Sequence, residues 1–237
     1  MQSKKAAVAR LAPRLFAAAL LALAGCGQIS HLTGGGEKHG DNGGDEGNAA
    51  LTGESPTAGK ACVLRVAFAT LLQEHVVLLA AATDADLGSR PDEFKAAQAA
   101  LDQNAINLSN AVTNVFDGQT GDQFLALWRK QNADFIDYAN GQLNKDQDAQ
   151  DKASAELEQF TVDFGTFMDQ TTGSRLTKDA MADMMKEDLL GIRAMIDAQA
   201  AKDFDTAYTK EMVSEQDAQT LAATLADEFV AQFPAKY

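Results

Sequence analysis

From Ala61 to Tyr237 the apolar residues recur at spacings of three and four without β-branched runs, which predicts helices throughout. The first predicted helix carries Leu64, Phe68, Leu71, Leu72, Leu79 and Ala82 on one stripe. Ser89 and Pro91 signal the start of a second, with Phe94, Leu101, Leu108, Val112 and Val115, ended by Asp117-Gly118. Thr120 with Gln123 reads as a capping box for a third, carrying Phe124, Leu127, Trp128, Phe135 and Tyr138 and closed by Asn140-Gly141. A fourth starts near Asn144 with Leu157, Phe160, Phe164, Phe167 and Met168. Gly173 and Thr177 separate it from a fifth, with Met181, Met184, Met185, Ile192 and Met195. The sixth begins near Asp203 and runs through Tyr208, Leu221, Leu225 and Phe229 to Phe233-Pro234. Short connections make consecutive helices antiparallel neighbours. The expected fold class is therefore all-α, an antiparallel bundle of about six helices.

The six helices read as three copies of one hairpin. Leu71, Leu127 and Met184 are separated by 56 and 57 residues. The same offsets relate Leu79, Phe135 and Ile192; Leu108, Phe164 and Leu221; and Val112, Met168 and Leu225. This register exposes the one feature with candidate chemistry. His75, Gln131 and Asp188 are equivalent, each in the middle of an apolar stripe on the first helix of its hairpin. On the second helices the matching positions are Asn104, Phe160 and Asp217. Five of six helices thus place a polar side chain where packing calls for an apolar one, and such groups must find hydrogen-bond partners or a ligand.

Two readings of this layer follow. The plainer is a structural hydrogen-bond network. The sharper is an internal site in which His75, Asp188 and Asp217 ligate a divalent metal such as copper or zinc, with Gln131 or Asn104 behind them; facing helices build metal sites this way. The chain lacks the Glu-x-x-His pairing of di-iron bundles. Met181, Met184 and Met185 at helical spacing read as core filler before they read as thioether ligands. There is no phosphate-binding glycine loop, no Cys-x-x-Cys and no nucleophile elbow, so no reaction is indicated and the chain reads as non-enzymatic.

The first 25 residues change the picture of where this bundle works. Lys4, Lys5, Arg10 and Arg14 form a positive segment, Leu15 to Ala24 a short uncharged apolar run, and Leu23-Ala24-Gly25-Cys26 matches a lipobox. The expectation is a signal peptide over 1–25 and lipidation of Cys26, giving a chain anchored on the extracytoplasmic side of a bacterial envelope membrane. The apolar run is too short to remain as a span, which takes roughly 20 residues. Residues 26–60 form a Gly-rich tether of about 30 Å r.m.s. reach, with His31 and His39 in it. The folded domain is 61–237. Removing 1–25 leaves 16 basic against 34 acidic residues, a formal charge of −18. That excludes nucleic acid as a partner and favours cations. Of the two cysteines, acylation of Cys26 would leave Cys62 without an intrachain partner, so a shielded free thiol is expected there.

Leu64-Arg65, Glu74-His75-Val76, Leu127-Trp128-Arg129, Asp163-Phe164-Gly165, Ile196-Asp197-Ala198 and Gln232-Phe233-Pro234 resemble a poorly characterised family of exported bacterial helical-bundle proteins. Some members of that family are attached to copper amine oxidase N-terminal-like domains. The resemblance implies histidines where this chain has Gln131, Asp188 and Asp217, so of the implied set it keeps only His75. The copper label belongs to the neighbouring domains, and no oxidase motif accompanies it here. The expected function is a membrane-tethered module that binds a protein or small ligand, with metal binding or buffering in the polar layer as the alternative.

Overall fold

The computed structural model describes residues 59–237; the predicted signal peptide, Cys26 and most of the tether lie outside them. Among the described residues there are six helices and no strand: α1 (Lys60–Leu87), α2 (Pro91–Val115), α3 (Gly118–Asn144), α4 (Gln147–Thr172), α5 (Lys178–Ala201) and α6 (Phe204–Gln232). The all-α class and the number of helices are as expected.

The start and stop chemistry is local. Pro91 opens α2 with Asp92 and Glu93 in its first turn, where acidic groups complement the helix dipole. Asp117, Asp146 and Asp203 cap α3, α4 and α6, accepting the backbone N–H of Thr120 (2.8 Å), Ala149 (3.1 Å) and Thr206 (3.2 Å). The hydrogen bonds to Asp117 and Asp203 hold both carboxyls below their ordinary range. Asp117 is thus the cap expected of Thr120, and α4 starts after Asp146, later than the Asn144 start expected. Left-handed Lys145 (φ 56°), Gly173 (φ 60°) and Lys202 (φ 60°) end α3, α4 and α5.

Asn140-Gly141, expected to close α3, lies inside it. Gly141 serves packing: a Cβ there would sit 2.8 Å from Gln150 Cγ, and Gln150 Nε2 donates to the Gly141 carbonyl at 3.1 Å.

Each helix packs on the next, α1 closes onto α6, and α1, α3 and α5 also touch one another. Partners fall in opposite order along neighbouring helices. Ser109 Oγ donates to the Gly121 carbonyl (2.8 Å) and Arg129 to Asp102 (2.6 Å) between α2 and α3. Arg65 near the start of α1 meets Asp227 near the end of α6 at 3.2 Å. This is the order an antiparallel pair gives. Among the described residues α1 is the helix long and apolar enough to cross a membrane, which is compatible with membrane association. Four neighbouring helices pack against it, and Val63 and Val66 stay exposed.

The interior divides into two apolar clusters. One holds Phe68, Leu72, Phe124, Trp128, Phe160, Phe164 and Phe229; the other holds Leu79, Phe135, Leu157, Ile192 and Met195. The register-matched sets Leu79, Phe135, Ile192 and Leu108, Phe164, Leu221 are all buried. Leu71, Leu127 and Met184 are only partly buried, whereas the following residues Leu72, Trp128 and Met185 are in the core. Because α1, α3 and α5 have neighbours on several sides, their buried arc is wider than one stripe and turned by one residue. Tyr208, expected in the α6 stripe, is 48% exposed. Cys62 is disulfide-bonded, which overturns the expected free thiol.

At Gly165 the α4 backbone approaches α5 so closely that a Cβ would lie 2.4 Å from the Lys178 carbonyl oxygen. A backbone atom cannot rotate away. Gly165→Ala should therefore cost about 1–3 kcal/mol, read as a lower urea midpoint, whereas Gly118→Ala, with open space at its Cβ position, should not.

Candidate functional site

The polar layer lies where the two apolar clusters meet. On α1, His75 follows Leu72 of one cluster and precedes Leu79 of the other; on α3, Gln131 stands between Trp128 and Phe135; on α5, Asp188 stands between Met185 and Ile192. Gln131 is fully buried, and His75 and Asn104 nearly so. Asp188 is 9% exposed. Phe160 occupies the α4 position, as expected.

On α6 the structure corrects the register. Asp217 is only half-buried, and the fully buried polar residue is Ser214, one turn earlier. Ser214 fits because Gly191 faces it: a Cβ on Gly191 would lie 2.9 Å from Ser214 Oγ. Neither residue stood out in the sequence, because Ser and Gly inside a helix carry no periodic signal. A glycine three residues after Asp188 on a long helix was the available clue.

The layer's hydrogen bonds are incomplete. Trp128 Nε1 donates to His75 Nδ1 at 3.3 Å, with the ring centroids 5.0 Å apart. An indole nitrogen only donates, so Nδ1 must be the bare nitrogen and Nε2 carries the proton. That Nε2–H has no partner. Burial pushes the His75 pKa down to about 4, so the imidazole is neutral near pH 7. Gln131 has a partner at neither amide atom. Asn104 donates to the Leu71 carbonyl and to Glu74 Oε2, both at 2.9 Å, but its Oδ1 is unpartnered. Asp188 Oδ1 and Ser214 Oγ are unpartnered too. Each such group costs about 1–3 kcal/mol when left so.

Beside the layer, α5 and α6 part into a cleft of about 580 Å³ lined by residues that include Asp183, Met184, Glu187, Asp188, Asp217 and Leu221. Asp188 belongs to both the cleft and the layer. Burial first, and then the charge of Asp217, push its pKa up to about 7. The structure thus brings Asp188 and Asp217 together as expected, but it does not gather His75 with them into a metal cage. Among the described residues no group of three His, Cys, Asp or Glu side chains could hold a metal ion. A second groove, between α3 and α4, is less receptive, because Lys130 already pairs with Asp134 (2.9 Å) and Glu156 (2.6 Å).

No family model, curated protein or solved structure matches this chain.

Proposed function

We infer that the chain is a membrane-tethered binding module of the bacterial cell envelope that takes a small ligand at the polar layer, through the α5–α6 cleft. The observation that carries this reading is the set of buried, unpartnered polar atoms on α1, α3, α5 and α6, at the boundary of two otherwise apolar cores. A structural network would pair its members; a binding site keeps them open for a ligand. Binding is favoured over turnover because the one imidazole nitrogen able to accept a proton is engaged by Trp128. The signal-like segment and Cys26 support the anchored location. One sulfur cannot be both acylated and half of a disulfide, so in the anchored chain the disulfide of Cys62 is made with another molecule.

Mass spectrometry of the full-length gene product, isolated from its own membrane in mild detergent, tests both parts. The expected result is a mature chain beginning at an acylated Cys26, with a bound small molecule in the native spectrum that is lost in Gln131→Met. A soluble chain beginning elsewhere contradicts the anchor. A native mass equal to the bare chain contradicts the binding reading, and a bound metal ion in place of an organic mass favours the metal alternative.

A further inference from the structure

The cleft between α5 and α6 has a chemical character of its own. Asp183, Glu187, Asp188 and Asp217 line it against the single cation Lys186. Its floor is a carboxyl more than nine-tenths buried, whose Oδ1 meets no donor. One turn further along the same pair of helices, beyond the residues that line the cleft, Ser214 Oγ is buried against Gly191. Met184 and Leu221 give the walls an apolar side. The volume suits a small molecule and far exceeds what a bare ion fills.

We propose that this cleft binds a small free primary alkylammonium ion, its head group between Asp188 and Asp217 and its carbon chain against Met184 and Leu221. The assignment rests on the reading of the polar layer as a ligand site and adds the ligand's class. A primary ammonium has three donors and no acceptor. The cleft offers the carboxyl groups of Asp188 and Asp217 to accept from it. A divalent metal is the poorer fit, because two carboxylates without a third ligand leave it under-coordinated. The ion also removes the repulsion between the two aspartates.

Binding is coupled to one proton. Protonated Asp188 gives its proton to solvent as the ammonium arrives, so carboxylate and ammonium form the pair. Burial and the charge of Asp217 from α6 set this equilibrium; Asp183, Lys186 and Glu187 on α5 line the same cleft. His75 is uncharged above pH 5. The layer positions on α3 and α4, Gln131 and Phe160, carry no charge.

Calorimetric titration of the full-length chain in detergent with n-butylamine, protonated throughout the range, is the test. One-to-one binding is expected, about tenfold tighter at pH 8 than at pH 6 as Asp188 ionises. Butyltrimethylammonium, with the same charge and no N–H, should bind at least about tenfold more weakly. Asp217→Asn, at a half-buried position outside the core, should weaken n-butylamine by about tenfold or more. No binding by the amine, equal binding of the quaternary ion, or an unchanged affinity in Asp217→Asn would overturn the proposal. So would zinc displacing the amine at equal concentration. A lysyl tripeptide binding more tightly than n-butylamine would move the head group's source to a protein and overturn the free-amine assignment. The underlying layer reading is judged separately, by the stability of Gln131→Met. An amine null beside a stabilised Gln131→Met removes the cleft assignment alone.

Discussion

Asp188→Asn should be more stable than the parent chain at pH 7–8, and its advantage should shrink by up to about 4 kcal/mol on going down to pH 4. The sign follows from the folded carboxyl titrating near 7 against an ordinary value of 3.8. Between those values the folded chain holds a proton that the unfolded chain has released. The Asp188 contribution is therefore fully present below pH 4 and lost as pH rises through 7. His75 runs the other way. Its pKa falls from 6.5 to about 4 on folding, so its contribution is present above pH 6.5 and is lost as pH falls toward 4, by about 3 kcal/mol. In the parent chain the two slopes offset each other between about pH 4 and 6.5. Asp188→Asn exposes the His75 slope alone, about 1.4 kcal/mol per pH unit relative to the parent. Urea unfolding of both chains at pH 5, 6, 7 and 8 reads this directly. A stability difference that stays constant across the series would mean that Asp188 is ionised and solvated in the folded protein, and the buried layer would lose its acidic member.

Six helices were legible because their signals are local. Asp117, Asp146 and Asp203 each stand immediately before a periodic apolar segment, and Pro91 can open a helix but not continue one. His75, Gln131 and Asp188 were legible as buried because each interrupts an apolar stripe, and all three are buried in the structure. What periodicity leaves open is rotation about the helix axis. One residue turns a helix by about 100°, and only the neighbours decide which side faces in. That is why Leu72 lies deeper than Leu71, and why Ser214 rather than Asp217 enters the layer. The same rotation leaves Asp217 on the wall of the cleft, so the cleft itself could not be read from spacing. Asn140-Gly141 misled for a related reason. The pair is a strong turn signal in isolation, but Gly141 is held in the helix by the close approach of α4.

The central claim is that this layer is kept open at the expense of stability, and Gln131 is where that expense is largest. Its side chain is fully buried on α3 between the two apolar clusters, with two polar atoms and no partner for either. Methionine has nearly the same length and helix propensity and a softer, apolar end that suits a core. Gln131→Met therefore removes two unpartnered groups and opens no cavity, and it should gain about 1–3 kcal/mol. For a domain of this size that is on the order of 2–4 °C in melting temperature per kcal/mol. A glutamine serving a structural network would behave oppositely, because its removal would orphan the groups it had satisfied. Parallel urea denaturation of the parent chain and Gln131→Met at neutral pH, without ligand, separates the two. The account predicts a higher midpoint for Gln131→Met with the same slope; a midpoint lowered by an equivalent of 1 kcal/mol or more would contradict it.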